Sequence, residues 1–199
     1  MEAVVVKLGV GNTASVLFAL ERAGARAVLT DDPTIIADAP RLILPGVGAA
    51  GHAMRLLQQK ALIETLRAYE RPLLGICLGQ QLLYETSEEY EGEATLGLIS
   101  GVVRRFAADA KRPVPHMGWS KLSFTRESPL TEGLKDGDYA YFVHSYYCPV
   151  GAETLAAAEY GETFSAIVGK GNAFGCQFHP ERSGAVGARV LSNFLKLPC

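Results

Sequence analysis

The segment Leu73-Leu74-Gly75-Ile76-Cys77-Leu78-Gly79-Gln80-Gln81 limits what this chain can become more than any other stretch. An apolar, strand-like run enters a G-x-C-x-G turn and leaves as a helix, the pattern of a nucleophile elbow with cysteine in place of serine. A sharp strand-to-helix turn brings backbones together, so Gly75 and Gly79 have no room for side chains and Cys77 is lifted above the sheet. A helix N-terminus behind the sulfur favours thiolate over thiol. The backbone N–H of Leu78 is left free to receive a developing oxyanion. The competing reading is a buried cysteine at a strand end with packing glycines on either side.

The chain around the elbow alternates between strand and helix. Ala3–Leu8 is a short apolar run, Gly9–Asn12 a turn, and Val16, Leu17, Leu20 and Ala23 recur at helical spacing. Ala27–Leu29, Leu42–Leu44 and Pro72–Ile76 read as further strands. Met54, Leu57, Ala61, Leu62, Ile63 and Leu66 mark an intervening helical stretch, and the helix after Cys77 runs from Leu78 to about Glu85. Apolar, non-alternating strands separated by helices predict a parallel sheet covered on both faces. The second half changes character: Leu98–Phe106, Leu122–Phe124, Tyr139–Val143, Leu155–Ala158, Phe164–Val168 and Ala173–Phe178 read as successive strands with hairpin-like breaks. A last helix is capped by Ser183 and buries Val186, Val190 and Phe194. The expected fold is one α/β domain over residues 1–199, a three-layer open mixed sheet with a parallel core and added antiparallel strands.

Composition narrows the function. At 199 residues, 48% hydrophobic and 20% charged, the chain is sized and composed as one globular domain. A net charge of −2 gives no field to hold a phosphate backbone, so nucleic acid is not an expected partner. No apolar run reaches the ~18 residues of a membrane helix. Met1–Val10 lacks a basic start and a cleavage site, which places the chain in the cytoplasm. Cys77, Cys148, Cys176 and Cys199 are widely spaced, without a C-x-x-C pair, so neither a zinc site nor a disulfide framework is expected.

Two further motifs bear on the elbow. In Phe178-His179-Pro180-Glu181, residues two apart in extended chain share a face. Glu181 could then fix the tautomer of His179 while His179 serves Cys77 as base and then acid. Taken alone, His179 also reads as a hydrogen-bonded structural histidine. Pro45-Gly46-Val47-Gly48 ends a buried strand, and a freed N–H at Val47 or Gly48 could be a second oxyanion donor; such a turn is equally an ordinary strand terminus.

In this order, Pro45–Gly48, Gly75–Gln81 and His179-Pro180-Glu181 resemble the class I (triad) glutamine amidotransferases. Within them, Gly9–Asn12, Gly97-Leu98-Ile99 with Gly101-Val102-Val103, Pro115-His116-Met117-Gly118-Trp119 and His144-Ser145-Tyr146 resemble the branch of glutaminase subunits of imidazole glycerol phosphate synthases. The likeness runs from about Val6 to Phe194. It implies that Cys77 attacks the glutamine side-chain amide, that His179 shuttles the proton and that Glu181 orients it. It implies glutamine contacts at Gly46, Val47, Gly48, Leu78, Gln81, Ser145 and Tyr146, the oxyanion donors being the N–H groups of Leu78 and the Val47–Gly48 turn. It implies a partner, a cyclase subunit with a (β/α)8 barrel that takes the ammonia, facing Asn12, Met117, Trp119, Tyr141 and Arg182. No cofactor or metal is implied. Ser120 stands where the family commonly has Asn, Ser145 where it has Thr, and Arg182 where it has Lys.

The remaining charged and aromatic residues have plainer readings. Glu85, Glu88, Glu89, Glu91 and Glu93 form a solvated acidic loop, and Arg104, Arg105, Lys111 and Arg112 a solvated or partner-facing surface. His52 is ordinary; His116 and His144 lie near the partner-facing segment. Trp119, in an irregular segment, is either an interface anchor or core. The rival functions are a free-standing cysteine hydrolase, such as a γ-glutamyl peptidase, and a catalytically inactive binding module.

Overall fold

The computed structural model describes residues 2–9, 12–89, 92–108, 110 and 112–199. Parts of the sequence reading fall on Met1, Val10, Gly11, Glu91 and Lys111, which lie outside the described residues.

The first half folds as strand–helix repeats. In chain order they are β1 (Glu2–Val6), α1 (Thr13–Arg22), β2 (Arg26–Thr30), α2 (Pro33–Asp38), β3 (Leu42–Gly46), α3 (Ala50–Gln59), α4 (Ile63–Arg67), β4 (Leu73–Cys77) and α5 (Leu78–Leu82). The second half adds β5 (Thr86–Ser87), β6 (Glu93–Ala94), β7 (Val102–Arg105), β8 (His116–Lys121), β9 (Ser123–Phe124), β10 (Tyr139–His144), β11 (Tyr146–Tyr147), β12 (Thr154–Tyr160), β13 (Glu162–Lys170) and β14 (Ala173–Cys176) before the closing α6 (Gly184–Lys196).

The main sheet has eight strands in the order β2-β1-β3-β4-β14-β13-β12-β9. The first five are parallel and the last three antiparallel. Successive residues of β1 feed opposite cores: Ala3 and Val5 pack with Val16, Leu20, Val190 and Phe194 of α1 and α6, and Val4 and Val6 with Ile36, Leu57 and Leu66 of α2, α3 and α4. Both faces are thus covered, as the unbroken apolar strands require. The three-layer mixed sheet of the sequence reading is what forms. Among the described residues, no helix is long and apolar enough to cross a membrane.

Four local expectations need correction. The helix after Cys77 stops at Leu82, because the segment Thr95–Ile99 donates N–H groups to the carbonyls of Leu82, Leu83, Tyr84 and Glu85 and replaces the next helical turn. The strand expected over Leu98–Phe106 is confined to β7, since Gly101 at φ +124° bends the chain. That expected over Ala173–Phe178 ends at Cys176, beyond which the chain turns towards His179. Pro115–Trp119 is not irregular: from His116 it is β8, paired residue for residue with β10.

Candidate active site

The site lies at the carboxyl ends of β3 and β4, where Gly46 pairs with Cys77. The elbow is set by backbone collision. A Cβ on Gly75 would lie 2.5 Å from the carbonyl of Gly79, and one on Gly79 would overlap the carbonyl oxygen of Leu44. Cys77 adopts φ +54°, ψ −109°, a conformation that costs a non-glycine residue on the order of 1–3 kcal/mol and holds its sulfur above the sheet. The thiol is buried at 6% exposure. Its sulfur lies 3.8 Å from the carbonyl of Val143 in β10 and 3.8 Å from Nε2 of Gln177.

His179 arrives from the other half of the chain, after β14. Its Nδ1 is 2.9 Å from Oε1 of Glu181, which lies in the 3₁₀ turn Pro180–Arg182. Pro180 takes the first position of that turn, where its missing N–H costs nothing. The loop is tied to β10 twice and braced once within itself. The N–H of His179 donates to the Tyr141 carbonyl at 3.0 Å, the N–H of Tyr141 donates to Ser183 Oγ at 3.0 Å, and Ser183 Oγ donates to the His179 carbonyl at 2.7 Å. Ser183 is therefore not the side-chain cap of α6 that the sequence predicts; its hydroxyl is committed to the loop. Burial would lower the pKa of His179, but hydrogen bonds and charge from Cys77 and Glu181 outweigh it and raise the value to about 10. Glu181 thus holds one side of the imidazole, while hydrogen bonding and charge from Cys77 act on the same ring.

The class I glutamine amidotransferase description matches residues 5–197. The chain belongs to the class I glutamine amidotransferase family. It is 45% identical over 197 residues to the imidazole glycerol phosphate synthase subunit HisH of Yersinia pseudotuberculosis, covering 99% of this chain and all of that one. It is 50% identical over 192 residues to the HisH subunit of Xanthomonas euvesicatoria, covering 96% of each. A crystal structure of a glutamine amidotransferase shares the fold at a TM-score of 0.74 and 22% identity, with 97% of both chains covered. The glutaminase domain of Trypanosoma brucei CTPS with bound acivicin does so at 0.68 and 15%, covering 100% of this chain and 95% of that one.

The other expected site residues of this amidotransferase are spread over several elements. Asn12, Gly46, Val47, Val143, His179, Glu181 and Arg182 line one cavity of about 200 Å³. Asn12 also caps α1, accepting from the N–H of Ser15 at 3.2 Å. Gly48 continues the exposed turn at φ +90°, and the following α3 is held at its first residue by Glu89, whose carboxylate accepts from the N–H of Ala50. Leu78 starts α5. Gln81, buried, donates from Nε2 to the Tyr146 carbonyl at 2.8 Å and to Gln177 Oε1 at 3.0 Å. Ser145, beside Tyr146, accepts from the N–H of Phe106 through its carbonyl at 3.0 Å. Met117 and Trp119 stand on the outer face of β8, 65% and 54% exposed, and Trp119 meets Tyr141 edge-on with ring centres 5.7 Å apart.

The acidic loop is not simply solvated. Besides Glu89, Glu85 accepts from the N–H of Gly101 and Glu88 from that of Arg105. Two residues at the site were not read from the sequence as site residues. Gln177 is fully buried against Cys77 and Gln81; its signal was one uncharged polar residue inside the apolar run Ala173–Phe178. Ser183 was visible only as a helix cap. His116 of β8 and His144 of β10 are buried, and burial lowers their pKa values to about 4 and about 3.

Proposed function

We propose that this chain, one amidotransferase domain over residues 1–199, hydrolyses glutamine to glutamate and ammonia and passes the ammonia to a cyclase subunit with a (β/α)8 barrel. The partner would form imidazole glycerol phosphate and aminoimidazole carboxamide ribonucleotide, a step of histidine biosynthesis in the cytoplasm. The reading rests on one observation above the rest: Glu181 holds His179 Nδ1 at 2.9 Å, and hydrogen bonding and charge from Cys77, strained at the elbow, act on that same ring. Near-complete coverage of HisH relatives supports the pathway.

In this mechanism the Cys77 sulfur attacks the side-chain carbonyl carbon of glutamine. The oxyanion takes the N–H of Leu78 and one from the Val47–Gly48 turn. His179 protonates the departing amine and ammonia leaves. Water, deprotonated by His179, attacks the γ-glutamyl thioester; C–S bond cleavage then frees glutamate and Cys77. Glu181 holds the imidazole by its Nδ1–H and offsets its charge. Gly46, Val47, Gly48, Leu78, Gln81, Ser145 and Tyr146 hold the substrate. Asn12, Met117, Trp119, Tyr141 and Arg182 face the cyclase; the pair of exposed Trp119 and half-buried Tyr141 has the aromatic chemistry of a binding hot spot.

Cys77→Ala decides the reading. In the complex with the cyclase, glutamine-dependent synthesis should fall by at least about 10⁴-fold, the scale seen when a triad nucleophile is removed. Synthesis from added ammonium salt should persist, because the barrel chemistry lies on the other subunit. Loss of both activities would overturn the assignment of Cys77 as nucleophile.

A further inference from the structure

The carbonyl of Tyr146 is a junction. It accepts from Gln81 Nε2 at 2.8 Å on one side and from His144 Nδ1 at 2.7 Å on the other. From His144 a line of contacts runs to the surface: Nε2 lies 3.3 Å from His116 Nδ1, and His116 Nε2 lies 3.1 Å from Ser120 Oγ. From Gln81 a second line runs inwards, to Gln177 Oε1 at 3.0 Å and from Gln177 Nε2 to the Cys77 sulfur at 3.8 Å.

Donor and acceptor chemistry fixes the direction of every link. A carbonyl only accepts, so His144 carries its hydrogen on Nδ1. Burial keeps both rings neutral, so His144 Nε2 must accept and His116 must donate from Nδ1. His116 Nε2 then accepts, and Ser120 donates. The two imidazoles also pack as core, His116 stacking on Phe142 and Tyr160 and His144 lying against Phe106 and Phe164. Phenyl rings would fill that space without a polar atom to satisfy, whereas the imidazoles are bonded end to end and saturate a carbonyl that also restrains Gln81. β8 and β10 supply the register, with His116 directly opposite His144 and Ser120 on the same inner face as His116.

We propose that Ser120, His116 and His144 are positioning residues for glutamine hydrolysis: a one-way hydrogen-bonded relay that fixes the Tyr146 carbonyl and, through it, Gln81 and Gln177 against Cys77. The proposal rests on the glutaminase reading for its activity readout but not for its geometry. The links nearest substrate are Tyr146 and Gln81, so loosening the relay shifts binding before it shifts chemistry.

The test uses the full-length chain in complex with the cyclase, with Ser120→Ala, Ser120→Thr and His116→Phe, which keeps the aromatic stack. Ser120→Ala should raise the KM for glutamine about three- to tenfold, the worth of one neutral hydrogen bond, with kcat within about twofold. His116→Phe should shift KM the same way and further, and Ser120→Thr, which restores the hydroxyl, should return it to the native value. Alkylation of Cys77 by iodoacetamide, followed on its own peptide by mass spectrometry, should change in rate with Ser120→Ala and His116→Phe and not with Ser120→Thr. If the native complex releases no glutamate but alkylation follows this pattern, the relay stands and the glutaminase reading falls. The relay is overturned if Ser120→Ala and His116→Phe match the native chain in both KM and alkylation, or if Ser120→Thr behaves as Ser120→Ala, whatever the thermal midpoints do.

Discussion

Cys77 and His179, the proposed nucleophile and its base, are held in opposite ways. Cys77 sits where β4, β3 and α5 leave no space: Gly75, Gly79 and the carbonyl of Leu44 define the turn by collision. His179 sits on a short turn outside the sheet, held by hydrogen bonds to the backbone of Tyr141 and the hydroxyl of Ser183. Steric restraint is local and leaves a trace in the residues themselves, because only glycine fits. Restraint by hydrogen bonding joins segments about 40 positions apart, Tyr141 and Ser183, and any residue can supply the backbone groups. The nucleophile side of the site is therefore rigid by exclusion, and the base side by a few directional contacts that single substitutions can remove.

If that contrast holds, the largest single-residue effect belongs to the elbow. Gly79→Ala places a Cβ into the Leu44 carbonyl, backbone against backbone, with no flexible side chain to yield. The loss should exceed about 4 kcal/mol, enough to leave no folded protein in a urea titration. Gly24→Ala is the control: φ is +83° but its Cβ meets nothing within 4 Å. It should cost only the left-handed backbone penalty of about 1–2 kcal/mol. A loss no larger in Gly79→Ala than in Gly24→Ala would mean that the Leu44 carbonyl yields and that crowding does not govern the elbow.

The same contrast explains what could be read without coordinates. The elbow was legible because G-x-C-x-G encodes its own sterics, and the parallel layers because β1, β3 and β4 are apolar on both faces. The His179–Glu181 pair was legible because two-residue spacing and Pro180 are local facts. The supports of the site were not. Gln177 looks like an interruption of a strand, and Ser183 like a cap, until β10 comes alongside. β8 was unreadable as a strand, because His-Met-Gly-Trp-Ser-Lys contains no β-branched residue and its partner β10 lies beyond a 17-residue gap from Leu122 to Asp138. Glu89 reaches the start of α3 across 39 positions. In each case the missing information was which segment would arrive, not what the segment could do.

A middle-sized effect tests the base side. Ser183→Ala removes the acceptor for the Tyr141 N–H and the donor to the His179 carbonyl together. The fold should survive, since α6 keeps its apolar face on the sheet. The imidazole should lose its fixed aim, lowering kcat for glutamine about tenfold, as small misplacements of catalytic groups do. Ser183→Thr, with the hydroxyl kept, should recover most of it. An unchanged kcat in Ser183→Ala would show that the Glu181 contact alone suffices to hold His179.

The smallest effect is a pH dependence, and its sign follows from the same loop. Burial opposes charge on His179, yet hydrogen bonds to Cys77 and Glu181 and their charges raise its pKa from 6.5 to about 10. The folded chain therefore holds a proton that the unfolded chain releases above about pH 6.5. This contribution to stability is complete below pH 6.5 and is lost as pH rises through about 10. Glu181→Gln removes one of the two partners that keep the ring charged. In urea titrations at several pH values, the native chain should lead Glu181→Gln by most near pH 6.5, and the lead should shrink steadily towards pH 10. A constant lead across that range would mean that Glu181 stabilises the loop by geometry alone, making the base side as purely steric as the elbow it faces.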